Sequence, residues 1–245
     1  KQKEKIIIIT PEQFSFTAER KLMKTIKTKA VINAEVVTFK RMAYRVVNEI
    51  GANKKIGLTN CGRAMLIYSI LEKQRNNLKL LGKTKENIEI AMTAINEFKQ
   101  HAITNEQLAI EMERTEDKYL KTKLQDMNII YESFENQIKD KYIDETDLLT
   151  ILSENIKETE MFKDVIFYID EFAGFTAQEY EIIKELVKVG KQVNITACTD
   201  NLFTSDNPEN DIFYSNKQTI AKIFKIANEL KVKVKEIEME ETYRF

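Results

Sequence analysis

Two aliphatic runs bracket about a hundred residues that carry no strand signal, and this layout constrains the fold more than any other feature. Ile6-Ile7-Ile8-Ile9 is β-branched and apolar at every position, as a strand buried on both faces requires. Val165-Ile166-Phe167-Tyr168-Ile169 repeats that signal, and Val193-Asn194-Ile195-Thr196-Ala197 follows it. Around them the pattern changes to helical spacing: Thr10-Pro11-Glu12-Gln13 reads as a helix start, with Thr10 as cap, Pro11 at the first helical position and Gln13 closing a capping box. This helix is expected to run to about Lys29, with Phe14, Phe16, Leu22, Met23 and Ile26 available for the core. A short strand at Val36-Val37-Thr38-Phe39 leads into a helix from Lys40 to about Ile50, stopped by Gly51. Further helices are expected over about 176–189, ended by Gly190, and about 216–230, with a last alternating strand at Val232, Val234 and Ile237. Strands alternating with helices make a parallel α/β sheet.

From about Asn60 to Glu158 apolar residues recur at helical spacing: Met65, Ile67, Tyr68 and Leu71, then Ile88, Met92, Ile95 and Phe98, then Leu124, Met127, Tyr131 and Phe134. One long helix is expected from Thr115-Glu116-Asp117 to about Lys139, and a shorter one from near Asp144. The expected organisation is an α/β domain over 1–58 and 160–245, split by an all-helical insertion over 59–159. The 6 Gly and 2 Pro among 245 residues compare with roughly 12% in average usage. That scarcity excludes turn-rich sandwiches, propellers and collagen-like chains.

The two cysteines, Cys61 and Cys198, and the single histidine, His101, provide neither a zinc-ligand set nor a disulfide framework. Both cysteines are expected to be buried small hydrophobes. No apolar run approaches membrane-spanning length and no signal-peptide pattern opens the chain. A cytoplasmic protein is the expectation. Because Lys1 stands directly ahead of a strand, we also expect the chain to be part of something larger. The net charge of −1 conceals an asymmetry: residues 1–60 hold 13 Lys/Arg against 5 Asp/Glu. A basic first quarter points weakly to a polyanionic partner, and on charge alone a solvated helix face is the favoured reading.

Three places could carry chemistry. Asp170-Glu171 ends an apolar strand, where a nucleotide hydrolase needs one carboxylate to hold Mg²⁺ through water (Asp170) and a second to orient the attacking water. The same pattern also fits the plain start of a loop. A hydrolase further needs a phosphate-cradling G-x-x-x-x-G-K-[ST], which does not occur here. The second place is the pair of strand-to-helix junctions holding Thr10, Gln13 and Phe14, and Thr38, Phe39, Lys40 and Arg41. Helix N-termini suit phosphates, and the two phenylalanines could stack on bases or fill the core. The third, Tyr142-Ile143-Asp144-Glu145-Thr146-Asp147-Leu148-Leu149, reads locally as a helix cap with acids in its first turn.

Taken in order, these segments resemble motifs of superfamily-one helicases of the UvrD/Rep type. Thr38-Phe39-Lys40-Arg41 is similar to their T-F-H-S motif, Ile143-Asp144-Glu145-Thr146-Asp147-Leu148-Leu149 to D-F-D-D-L-L, and Ile169-Asp170-Glu171-Phe172 with Gln178-Glu179-Tyr180 to the Walker B element and the helix after it. A closer resemblance is to the AddB family of bacterial helicase–nuclease subunits. Thr10-Pro11-Glu12-Gln13-Phe14-Ser15-Phe16 is similar to its V-P-E-Q-x-x-F, Val37-Thr38-Phe39-Lys40-Arg41-Met42-Ala43 to S-F-S-R-L-A, Tyr142-Ile143-Asp144-Glu145-Thr146-Asp147-Leu148 to Y-L-D-S-E-D-Y, Tyr168-Ile169-Asp170-Glu171-Phe172 to Y-I-D-G-F, and Tyr243-Arg244-Phe245 to P-R-F.

The resemblance implies a RecA-like domain without its first strand and phosphate loop. It also implies a heterodimer with an AddA-type motor subunit acting on DNA ends and single-stranded DNA in break repair and recombination. ATP, Mg²⁺ and an iron–sulphur cluster in a nuclease domain belong to the parent subunit, outside this chain. Departures from the motor pattern are Lys40 for histidine, Ala173 and Gly174 for the Walker B Gln and Asp, and a Cys198-Thr199-Asp200 that lacks glutamine. They imply a degenerate motor binding DNA through the two junctions, with Asp170 and Glu171 vestigial. Two other readings stay open: a trimmed but live ATPase, and a module whose acidic insertion docks on the motor subunit.

Overall fold

The computed structural model describes residues 4–26, 33–51, 55–82, 84–202 and 210–239. It is a mixed α/β protein with a parallel sheet and a helical portion, as the alternation predicts. Cα packing separates two compact units: 1–36, 164–175 and 186–245 form the first, 37–163 and 176–185 the second.

In the first unit β1 (Ile6–Ile9), β2 (Ala34–Val37), β5 (Ile166–Ile169) and β6 (Gln192–Ile195) form a sheet in the order β2-β1-β5-β6. β1 and β5 pair in parallel with Ile7 opposite Phe167 and Ile9 opposite Ile169, and β5 pairs in parallel with β6. Ile7, Ile9, Phe167 and Ile169 are at most 1% exposed, whereas Tyr168 is 41% exposed. The sheet is thus fully covered on one face only, although β1 is apolar on both. Helix α1 (Ser15–Ile26) and helix α9 (Tyr214–Glu229) belong to this unit.

The start of α1 differs from expectation. Pro11 has ψ 151° and a 3₁₀ turn, Glu12–Phe14, intervenes without any side-chain cap. Thr10 follows β1 without capping, and α1 opens where the Ser15 hydroxyl donates to the Glu12 carbonyl at 3.0 Å. Phe14, Phe16, Met23 and Ile26 are exposed and not core; at 100° per residue they fall on the outer side of α1 and its entry turn. The expected extension to Lys29 lies outside the described residues, as do most of the loop around Ser205 and the closing Tyr243-Arg244-Phe245.

The expected last strand is absent from the described residues. Val232, Val234 and Ile237 are 42, 51 and 71% exposed, because alternation yields a strand only where a sheet edge accepts its hydrogen bonds. α9 ends instead in a two-bond cap: Lys231 (φ 56°) donates to Asn228 and Val232 to the Ala227 carbonyl.

The second unit holds α2 (Phe39–Glu49), α3 (Asn60–Lys73), α4 (Lys85–Gln100), α5 (Asn105–Arg114), α6 (Lys118–Ile138), α7 (Leu148–Asn155) and the first part of α8 (Ala177–Val189). Threonines cap α2, α3, α4 and α5, and Asp117 caps α6. Ile67, Ile70, Leu71, Ile95, Ile130 and Phe134 lead a continuous core. Within it β3 (Ile56–Leu58) and β4 (Tyr142–Asp144) pair in parallel, a strand pair too short to leave a period-two signal. Both cysteines are exposed, contrary to expectation. Cys61 sits in the first turn of α3, and Cys198 in a loop where its carbonyl accepts from Asn216 at 2.6 Å.

Candidate functional site

In the first unit the carboxyl ends of β1, β5 and β6 bring Thr10, Asp170, Glu171 and Thr196 to one sheet edge, the side of a parallel sheet where ligands bind. The Asp170 amide donates to the Ile9 carbonyl and the Thr196 amide to the Ile169 carbonyl, both at 3.0 Å. The Thr196 hydroxyl donates to Asp170 Oδ1. Glu171 lies in the left-handed region at φ 64°, a conformation costing about 1–2 kcal/mol for a residue with a side chain. Its carboxylate accepts from Lys21 Nζ of α1 at 3.1 Å. Thr10 is 1% exposed and its Oγ1 has no hydrogen-bond partner among the described residues. Gln13 is exposed and Phe14 is 36% exposed in the 3₁₀ turn that follows. Beyond β6, Lys217 of α9 pairs with Asp200 at 2.7 Å and with Asp211 at 2.8 Å. Its hydrogen bond holds the Asp200 carboxyl below the usual range.

In the second unit Thr38 caps α2 by accepting from the Arg41 amide at 3.2 Å. Phe39 is 4% exposed, so its ring belongs to the core and cannot stack on a base. Arg41 is exposed, and Lys40 pairs with Glu145. Glu145 opens a 3₁₀ turn, Glu145–Asp147, whose groups and neighbours are held by side chains from α3, α4 and α8. Asp144 is fully buried between Lys99 of α4 at 3.2 Å and Arg63 of α3 at 3.5 Å. Asp147 accepts from Lys99 at 2.6 Å, and the Thr146 carbonyl accepts from Gln178 of α8 at 2.8 Å. Lys99 also reaches Glu135 of α6 at 2.8 Å, and both Lys99 and Arg63 lie over the Phe134 ring.

Burial lowers the Lys99 ammonium's affinity for its proton, yet Asp147, Asp144 and Glu135 together raise it above its ordinary value. Burial pushes the Asp147 carboxyl up to about 6, against the pull of Lys99. Local reading of Tyr142 to Leu149 identified the turn and missed this hub, because Arg63, Lys99 and Glu135 are distant in sequence. A glycine spacing was also overlooked. Gly57 and Gly62 stand as in a phosphate loop, but Arg63 and Ala64 replace its Lys and Ser/Thr. Arg63 is 3% exposed, its side chain set between Asp144 and Phe134, so it offers no phosphate contact.

A family model described as ADDB, N-terminal, matches residues 1–245. The chain belongs to the AddB N-terminal family. An ATP-dependent helicase/deoxyribonuclease subunit of Clostridium tetani is 38% identical over 99% of the chain and 22% of that protein's length. Proteins of the same description from Thermoanaerobacter sp. and Acetivibrio thermocellus are 36% identical over 91% of the chain and 20% of their own length. The chain therefore spans about a fifth of the AddB relatives it matches.

Within this AddB segment the groups implied by resemblance do not find complete sites. Asp170 accepts the Thr196 hydroxyl, Glu171 is engaged by Lys21, and no set of three metal-ligating side chains gathers among the described residues. An iron–sulphur cluster of four cysteines cannot form from two, one in each unit. Among the described residues no helix is long and apolar enough to cross a membrane.

Proposed function

We propose that the chain is a helicase-like domain of a cytoplasmic helicase–nuclease subunit that acts on DNA ends in double-strand-break repair, alongside an AddA-type motor. Its own part is to bind passing single-stranded DNA, not to hydrolyse ATP. In this reading residues 59–159 are the insertion into the RecA-like domain. The observation that supports a degenerate motor is the state of the acids at the end of β5. Asp170 accepts the Thr196 hydroxyl, and Glu171 is left-handed and salt-bridged to Lys21. A water-activating pair needs a carboxylate free to meet water beside a nucleotide. Thr10, Gln13 and Phe14 form one proposed contact, Phe14 stacking on a base. Thr38, Lys40 and Arg41 form the other through the amino end of α2, with Phe39 holding that helix in the core. ATP, Mg²⁺ and the cluster are supplied by other residues of the parent complex.

The test is a titration of labelled oligonucleotide against the protein and its Lys40→Ala/Arg41→Ala variant over a series of salt concentrations. Weaker binding with a salt slope reduced by about 1 for each lost phosphate contact is expected. Unchanged affinity and slope would overturn the assignment of this junction.

A further inference from the structure

The Lys40–Glu145 pair joins two positions 105 residues apart in sequence, and both side chains are about half exposed. Lys40 stands in the first turn of α2, which has no acidic residue of its own and is capped by the Thr38 side chain accepting from the Arg41 amide. The positive end of α2 and the adjacent Lys40 and Arg41 form a local concentration of positive charge. A carboxylate delivered there from another element occupies the position a phosphate oxygen would take.

Glu145 is not a mobile side chain that wandered to the nearest cation. The residue before it, Asp144, is fully buried and paired with Lys99 and Arg63. The carbonyl after it is held by Gln178, and Asp147 is held by Lys99. The backbone of Glu145 is therefore fixed from both sides, and its carboxylate is presented to α2 at little further entropic cost. The pair itself is solvent-exposed, so it is weak enough to be exchanged for a stronger anion. A polyphosphate strand brings several charges to the same surface and gains counterion release besides.

We propose that Glu145 is a built-in competitor for the nucleic-acid phosphate at Lys40, so that single-stranded DNA binds this junction by displacing the Glu145 carboxylate. The proposal rests on the reading of the α2 junction as a DNA contact, and it assigns Glu145 the role of setting the affinity of that contact.

The test compares fluorescein-labelled oligo-dT binding by wild type, Glu145→Gln, Lys40→Met and the double variant, with circular dichroism confirming that each is folded. Glu49→Gln, at the far end of α2, controls for loss of one negative charge. Glu145→Gln should tighten binding two- to fivefold, while the double variant binds no better than Lys40→Met and Glu49→Gln is unchanged. If wild type binds and Glu145→Gln binds no more tightly, the competitor role is wrong and the DNA reading stands. The competitor role also falls if the gain persists in the Lys40→Met background or appears with Glu49→Gln. If neither wild type nor Glu145→Gln binds oligonucleotide, both the competitor role and the DNA reading fall.

Discussion

Lys99 sits at the end of α4 with three carboxylates and an aromatic face around it, and this one side chain ties together four elements of the helical unit. Removing one partner from a buried cluster of this kind leaves the others desolvated and uncompensated. Tyr131, one turn before Glu135 on α6, shares the surroundings: burial first, then Glu135, raises its hydroxyl to about 12. Its hydroxyl donates to the Ile103 carbonyl at 3.4 Å.

These shifts set a pH dependence. Both Lys99 and Tyr131 hold their protons more tightly when folded, so the stability they contribute is present below the unfolded values and is lost as pH rises through the folded ones. For Tyr131 the window runs from about pH 10 to 12 and is worth on the order of 2–3 kcal/mol. Asp147, raised to about 6, has the same sign at lower pH, its contribution falling as pH climbs from about 4 to 6. Urea midpoints should therefore drop between pH 9 and 11.5, and Tyr131→Phe should flatten that drop. A variant with the wild-type slope would remove Tyr131 from the account. None of this could be read from the sequence, where Lys99 is one of many lysines on an amphipathic helix.

At the scale of elements, the seam between α8 and β6 shows how local signals and packing combine. Gly190 reads from sequence as a helix stop. In the fold it is required by close approach: a Cβ there would lie 2.8 Å from the Leu186 carbonyl oxygen and 2.9 Å from the Phe167 ring. Gly190→Ala should cost about 1–3 kcal/mol by overpacking, visible as a lower denaturation midpoint, whereas Gly82→Ala, with nothing within 4 Å, should change it far less. β5 was legible as a continuous apolar run, and α6, α8 and α9 as long helical patterns, with Asp117 capping α6 and Thr176 capping α8. The entry to α1 was not, since Pro11 is compatible with a helix start and with an extended exit from the strand. The edge of the sheet was not legible either: Val232, Val234 and Ile237 have the alternation of a strand without a neighbour to pair with.

At the scale of the whole molecule, the distinction between a degenerate and a live motor belongs to the complete subunit. On the proposed reading, Glu171→Gln in the complete subunit should leave steady-state ATP hydrolysis by its proposed complex with an AddA-type motor unchanged, because the side chain is already engaged by Lys21. A large loss of turnover would restore Glu171 as a catalytic acid and favour the live-ATPase reading. The sequence by itself determined the class of fold, the alternation of its longer strands and helices, and the family, because periodicity and motif order are properties of neighbouring residues. Tertiary structure alone decided which side chains are available. It closed Phe39 into the core, turned Phe14 and both cysteines outward, placed Lys21 on Glu171 and Glu145 on Lys40, and gathered Arg63, Lys99, Glu135, Asp144 and Asp147 into one cluster. Such pairings join residues tens to more than a hundred positions apart, and charge chemistry at that range is set by the backbone that carries it.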